Sequence, residues 1–596
     1  MDELSSLDQQ SDAPLPGSKA ASQDEEAKYD NFFSPQNIDF YSKFRYSDLD
    51  FTEQTIRLLR IHPLSSDDDE SAPIICDLID NFSLLAKPDY TTISYCAGDP
   101  KNTERIIVNG LEFNAFSNLA HALRQARHFW KRKFGARELL LWADQVCINQ
   151  SNPSERSHQV SFMGSIYASG EQVLVCLSTD DDTSEWLHNM SRSIRLNFRN
   201  RSDAKLDEEN EKLYQVLKVD CDNEDQNHEW DVFFSTVLTS PWWSRAWVRQ
   251  EFIRSPQAYF LAKFKSIHWK SLVDVHAVYF HSRHDFGLPS AAPRLCSPSS
   301  YPTTPRRCSA VCQACNLGQR PKKFWDIGKC VNSLLQAKVK IESQPGYFPD
   351  LLYNLRDAHL CKSSDTRDLV YAFIGISAHS YGIYPDYSQG NTIEDVFTKL
   401  ACNVISYSGN LGILEMAYMT RTNPTIALLD SLQEWGRLLN SPIPSWVPDW
   451  RTLRNPPQNQ QTGELNSPGG AKIFFSLLPD EENRKDRILQ VRGVFYDTLG
   501  PRMLTRPRQF FSRKGGGIPT TIFAEKGDEI WMLHGSSKLF ILRRHKNQPH
   551  RIEESYQVVG EVVGTDGMAH DRICLFQKVN AMAKSNDPSL KIINIC

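Results

Sequence analysis

The chain has 596 residues, 40% hydrophobic and 23% charged, with a formal net charge of −5 and an isoelectric point near 6.4. This balance fits a globular protein long enough for more than one core, since domains cluster at roughly 100 to 200 residues. It gives no general case for nucleic-acid binding, and no apolar run approaches the roughly 18 residues of a membrane-spanning helix.

Residues 1–50 form an acidic, polar leader with neither a basic start nor an apolar stretch, so they are expected to be disordered and not to act as a signal peptide. Ser65 to Glu70 is a second solvated acidic loop. From Tyr90 the elements follow in α/β order. A strand over 90–95 precedes a hairpin whose turn is Val108-Asn109-Gly110-Leu111, where Asn-Gly supplies positive φ values. A helix after Ser117 places Leu119, Ala122, Leu123, Ala126 and Trp130 on one side.

Leu139 to Ala143 is an apolar run of strand length that ends on Asp144, at the carboxyl edge where open α/β sheets collect their ligands. Asn152-Pro153-Ser154-Glu155 then reads as a helix start. Asn152 is the cap, Pro153 takes the first position, and Glu155 is the acid that reaches back to the cap. Val160, Met163, Ile166 and Tyr167 give that helix an apolar face. Val173 to Leu177, after Gly170, is predicted as the next, parallel strand.

Residues 180–229 are rich in charge and Asn and are expected to form an exposed insertion. A helix carrying Trp230, Phe233, Phe234, Val237 and Leu238 leads from it to the Trp-rich run Pro241 to Glu251. Residues 285–323 read as a Pro/Ser/Cys-rich loop or linker. Beyond it, segments 366–376 and 384–401 are helical by period, the second starting near Thr392 with Asp395 three residues on. The last part turns to strands over 488–499, 529–533, 539–542 and 556–563, which points to a β-rich region closing the chain.

The chain has fourteen cysteines. Those inside apolar runs, Cys147, Cys176 and Cys402, are expected to be buried reduced thiols of a cytoplasmic protein. Cys308, Cys312 and Cys315, with Cys296 or Cys330 as a fourth ligand, raise a zinc site that a solvated loop explains as well, because a second close pair is absent.

WADQVCINQ (Trp142 to Gln150), Glu155-Arg156, Gln159-Val160, Met163, Ile166-Tyr167 and VLVCL resemble the core of the fungal heterokaryon-incompatibility (HET) domain. YTTISYCAGD (Tyr90 to Asp99) is similar to its opening strand and loop, and PWWSRAWVRQE (Pro241 to Glu251) to its closing motif. The opening motif departs from the family in having Ala97, not Trp, before Gly98. The resemblance implies a distantly TIR-like α/β domain with a parallel sheet over 51–284 (core motifs 90–178 and 241–251). A helical middle region at 324–450 and a small β-rich region at 451–596 follow.

The resemblance also implies a role in fungal non-self recognition and regulated cell death, with protein partners or self-association through the HET domain. TIR relatives that cleave NAD use a glutamate in a Trp-x-x-x-Glu motif, and Trp247 and Glu251 have that spacing. Breaking an N-glycosidic bond builds positive charge on the ribose carbon, which a placed carboxylate stabilises. Glu251 and Asp144 are thus the catalytic candidates, NAD is the candidate substrate, and Trp247, Arg245, Asn149, Arg156 and Ser94 are candidates for holding it. Each has a structural alternative. Glu251 can pair with Arg245 and Arg249, the tryptophans can pack, Asp144 can cap its turn, and Asn149 can bond within its loop. The alternative to an enzyme is a non-catalytic module that assembles a signalling complex.

Overall fold

The computed structural model describes residues 37–63, 72–178, 237–262, 264–273, 276, 322–388, 390–422, 443–452, 475–479, 486–503, 506–512, 517–520, 524–544, 555–562 and 566–596. Residues 1–36 of the leader, the acidic loop, the insertion, most of the linker and the first part of the helix expected at 230–238 lie outside the described residues. The rest of the leader is not disordered as expected, since a helix over Ile38–Lys43 buries Phe40 edge-on against Phe113 at 4.9 Å. So do Cys296, Cys308, Cys312 and Cys315.

Nine strands form the first sheet: β1 (Thr55–Ile61), β2 (Ile75–Ser83), β3 (Thr91–Ser94), β4 (Thr103–Val108), β5 (Leu111–Phe116), β6 (Leu139–Trp142), β7 (Gln172–Ser178), β8 (Ala258–Ala262) and β9 (Lys265–His268). Their order is β5-β4-β2-β1-β6-β3-β7-β8-β9. The β6-β3-β7-β8 centre is parallel, β1 joins β6 antiparallel, and β2 joins β1 antiparallel. As expected, β4 and β5 make a hairpin in which Val108 faces Leu111 and Asn109 and Gly110 have φ of 50° and 77°. The strand expected next to β6 is indeed parallel, but β3 lies between it and β6. That puts the change of winding direction at β3, where α/β sheets open a crevice beyond their carboxyl ends.

Helix α1 (Ser117–Phe134) covers the sheet with Leu119, Ala122, Leu123 and Ala126, all fully buried. The helix expected from 152 onward is two helices, α2 (Pro153–Ser161) and α3 (Met163–Ser169), broken at Phe162, whose φ and ψ of −121° and 19° are not helical. Asn152 caps α2 through its side chain, accepting from Ser154 N and Glu155 N. Glu155 does not reach back to the cap. It turns inward with Gln159, both buried, so the inner face of α2 is polar where the sequence periodicity implied apolar. Glu155 Oε1 and Oε2 accept from the fully buried Arg57 at 2.6 and 3.1 Å, and Gln159 donates to the Thr55 carbonyl at 2.8 Å.

The Trp-rich run begins with a short 3-10 turn, Pro241–Ser244, capped by Ser240, and continues into α4 (Val248–Ile253). Helices α3, α5 (Lys322–Ser343) and α7 (Asp368–Ile374) pack on α4, the last preceded by α6 (Leu351–Leu355). Helix α8 (Ile393–Ser408) starts as expected at Thr392, with Asp395 completing a capping box, and α9 (Ile413–Thr422) follows.

The C-terminal strands are β10 (Phe475–Pro479), β11 (Asp486–Met503), β12 (Arg506–Ser512), β13 (Gly517–Pro519), β14 (Glu529–Leu533), β15 (Leu539–Arg544), β16 (Ser555–Glu561) and β17 (Lys591–Ile595). Because β17 pairs with both β16 and β11, five strands close on themselves. The 19-residue helix α10 (Asp566–Lys584) enters between β16 and β17. Alternate residues of β14 face two cores. Ile530 and Met532 belong to a cluster local to this region, while Trp531 and Leu533 join a larger cluster that runs through the first sheet and the middle helices. Among the described residues no helix is long and apolar enough to cross a membrane.

Candidate functional site

The carboxyl end of β3 delivers Ser94 and then Tyr95, and the carboxyl end of β6 delivers Asp144, the first residue of a helical turn over Asp144–Cys147. The 3-10 turn and α4 fold back over this edge, because Ser240 donates to the Leu177 carbonyl at the end of β7 at 3.1 Å. Arg245 is held there by backbone pairing with Lys362. Residues from three separate parts of the sequence thereby meet.

Ser94 sits between an indole and a carboxylate. Its hydroxyl donates to Glu251 Oε2 and accepts from Trp242 Nε1 at 2.7 Å. The Arg245 guanidinium lies 3.5 Å from the same Glu251 oxygen and donates to the Tyr95 carbonyl. The Tyr95 hydroxyl donates to Asp144 Oδ1 at 2.9 Å, which also accepts from Gln145 N at 2.8 Å. Tyr167 on α3 donates to the Ile93 carbonyl at 2.9 Å and feels the charges of Glu251, Asp144 and Arg245.

Burial raises the Glu251 carboxyl above its ordinary range, opposed by the Arg245 charge and the Ser94 hydrogen bond and reinforced by Asp144. Burial likewise raises Asp144, opposed by Arg245 and the Tyr95 hydroxyl. For Arg245 burial works against the charge, but Glu251 and Asp144 outweigh it and the guanidinium stays protonated. Two carboxyls and one guanidinium thus share a poorly hydrated edge. Such a group holds one net negative charge when both acids are ionised, and it favours a cationic or partly cationic ligand atom.

The structure therefore brings together Ser94, Asp144, Arg245 and Glu251. Glu251 is 3% exposed, whereas Asp144 and Arg245 are half-buried. The remaining candidates have other partners. Trp247 stands one helical turn before Glu251, whose amide donates to its carbonyl at 3.1 Å, but its indole bonds the buried Asp368. Asn149 accepts from Ser151 Oγ at 2.6 Å within its own loop, and Arg156 lies over the Tyr387 ring at 5.0 Å. Arg249, weighed as a partner for Glu251, turns instead to Ser333 at 2.7 Å and Asp357 at 3.4 Å.

Sequence reasoning missed Tyr95, Tyr167 and Trp242 as parts of this edge. A tyrosine or tryptophan in an apolar motif carries the signal of a core residue, which all three are, and nothing in the spacing reveals where its polar atom points. Trp242 packs edge-on against Trp243 and Phe260 at 4.9 and 5.6 Å, so its ring serves the core while its N–H serves Ser94. Among the described residues no group of His, Cys, Asp and Glu could hold a metal ion.

Residues 90–251 match the family described as Heterokaryon incompatibility protein (HET). The chain is 26% identical over 487 residues to "Heterokaryon incompatibility protein 6, OR allele" of Neurospora crassa, an alignment that covers 74% of this chain and 64% of that protein. The match thus spans just under two thirds of that relative's length. No solved structure matches the chain.

Proposed function

Since the chain carries a HET domain over residues 90–251, we propose that it acts in fungal non-self recognition and triggers regulated cell death by cleaving the N-glycosidic bond of NAD. The proposed domain is TIR-like and cytoplasmic, and it works when copies are brought together by a protein partner or by self-association.

The observation that carries this reading is the convergence of Glu251, Asp144 and Arg245 at the carboxyl edge of β3 and β6. As the bond to nicotinamide lengthens, positive charge grows on the ribose carbon, and an ionised Glu251 stabilises it. Water then takes the place of nicotinamide. Ser94 and Arg245 hold the Glu251 carboxylate in one orientation, which removes the cost of reorganising it during the reaction. Asp144, with more exposure, meets the ribose hydroxyls. The test is nicotinamide release from NAD by a concentrated, clustered sample. Glu251→Gln, which keeps an acceptor for Ser94, is expected to lower the rate by about 100-fold or more. Turnover that survives Glu251→Gln overturns the catalytic assignment.

A second reading has its own support. Glu251 is nearly fully enclosed and already engaged by Ser94 and Arg245, which is also how a purely structural ion pair is built. On that reading the domain assembles a death-signalling complex without turnover. Cell toxicity that persists in a folded Glu251→Gln variant favours it.

A further inference from the structure

Two thiols lie against the Trp-rich run. Cys330 is on α5 and 1% exposed, and Cys361 follows a 3-10 turn, Ala358–Leu360, and is half-buried. Both are free, and their side chains are hydrogen-bonded to each other. The same two elements are tied a second time, because Ser333, three residues after Cys330, donates to Asp357, four residues before Cys361. The backbones on which the thiols ride are therefore already held side by side.

Contacts of Cys330, Arg249 and Lys362 connect this pair to the candidate site. Cys330 Sγ lies 2.9 Å from the Trp243 carbonyl. Arg249, on the helix that carries Glu251, comes within 3.9 Å of Cys330 Sγ and also bonds the Cys361 thiol. Lys362, next to Cys361, donates to the Ser244 carbonyl at 2.5 Å and accepts from Ala246 N at 2.9 Å, bracketing Arg245. Each thiol thus borders the segment that positions Arg245, the basic group of the site.

We propose that Cys330 and Cys361 are a peroxide-reactive dithiol whose oxidation to a disulfide loosens the hold on residues 243–249. Cys361 is the first to react, being the more exposed of the two. The Cys330 hydrogen bond, aided by the Arg249 charge, outweighs burial and favours its thiolate, while the same hydrogen bond and burial together disfavour ionisation of Cys330. The Cys361 thiolate attacks one oxygen of hydrogen peroxide, breaking the O–O bond, and becomes a sulfenic acid as the other oxygen takes up the thiol's proton and leaves as water. The Cys330 sulfur then attacks the Cys361 sulfur, gives up its proton, and expels the second water as the S–S bond forms. Two thiols lose two electrons and two protons, and the peroxide takes them up as two waters. In the reduced pair the one Cys330 S–H is shared between the Trp243 carbonyl and the Cys361 sulfur, and once in the disulfide it is lost to both.

The experiment uses the reduced full chain, hydrogen peroxide, alkylation of the remaining thiols, and mass spectrometry of the digest. The expected product is a Cys330–Cys361 peptide pair, lighter by two hydrogens and restored by dithiothreitol, formed at doses that leave the exposed Cys574 alkylated. In Cys330→Ser, Cys361 is expected to stay sulfenic and to be trapped by dimedone. Amide hydrogen exchange on the oxidised wild type is expected to be faster over 243–249 than on the reduced protein. Full alkylation of both cysteines at doses that oxidise Cys574 overturns the proposal without any variant having to fold. A disulfide that leaves exchange over 243–249 unchanged overturns the coupling. None of these readouts depends on NAD turnover, so they stand or fall apart from the proposed activity.

Discussion

At the scale of single residues, the deepest charge is not at the candidate site. The Arg57 side chain has no exposed surface, and Glu155 answers it with both carboxylate oxygens. The Cys147 carbonyl accepts from it at 3.1 Å, Asp80 lies 3.2 Å from its Nε, and Tyr46 faces it at 4.8 Å. Removing Glu155 leaves the buried guanidinium with only the half-exposed Asp80 as counter-charge, so Glu155→Ala is expected to cost about 3 kcal/mol in urea unfolding. Arg57→Met combined with Glu155→Leu should recover most of that, and an unchanged midpoint in Glu155→Ala would show that the pair is not structural. Asp368 offers a test by pH. Burial first, and the charge of Asp365 next, raise its carboxyl to about 7 against the bonds from Tyr387 and Trp247 and the charge of Arg367. The folded state therefore keeps a proton that the unfolded chain releases near pH 3.9. The stability this group contributes is full below that pH and disappears as pH rises through about 7. Asp368→Asn stays neutral throughout, so its unfolding midpoint should fall less than the wild type's between about pH 5 and pH 8. Parallel pH curves for the two proteins would exclude this account.

At the scale of elements, α4 is held by close backbone approach. Gln250, next to Glu251, donates to the Tyr371 carbonyl at 3.0 Å through a gap between Gly164 of α3 and Gly375 after α7. A Cβ on Gly375 would overlap the Gln250 carboxamide, and one on Gly164 would come within 3.2 Å of the Gly375 backbone. Neither glycine has positive φ, so the requirement is space and not conformation. Gly375→Ala is expected to lower stability by about 1–3 kcal/mol through overpacking. It should also raise hydrogen exchange in 248–253, and normal protection there would show that α4 is held by other contacts. Lys338 of α5 holds the other end of α4. Its ammonium donates to the Ile253 and Ser255 carbonyls, the carbonyls that a helix terminus leaves open, and burial lowers its pKa to about 8.

At the scale of the whole molecule, the C-terminal sheet shares its core with what precedes it. Helix α9 packs on β16. Leu411 N donates to the Gly535 carbonyl at 2.8 Å, and Lys538 lies between Glu415 at 2.8 Å and Glu561 at 3.0 Å. Ser445 joins the two ends of the C-terminal half, donating to the carbonyl of Cys596 and accepting from Val558 N at 2.9 Å. A chain ended before residue 475 would expose Ile413, Leu414 and Ala417, buried in the full protein. It is expected to aggregate or to lose its cooperative thermal transition. A soluble truncated chain with an unchanged midpoint would show instead that the two regions fold independently.

Much of the local structure was legible in the sequence: the Asn109-Gly110 turn, the Asn152 cap, the Thr392 and Asp395 box, the strand ending at Asp144, and the four strands foreseen after residue 488. Each depends on contacts within a few residues, where side-chain type and spacing carry the physics. Strands β1, β2, β8, β9, β10, β12, β13 and β17 and helix α10 were not foreseen, since their apolar runs are short and their partners distant. Only the tertiary structure decided that β3 lies between β6 and β7, that β17 closes on β11, that Glu155 faces Arg57, and that Trp247 turns to Asp368 while Trp242 turns to Ser94. Periodicity states which face of an element is apolar. It does not state which distant polar group that element will meet, because such a pairing is chosen by the desolvation of two groups together and leaves no pattern in either stretch of chain.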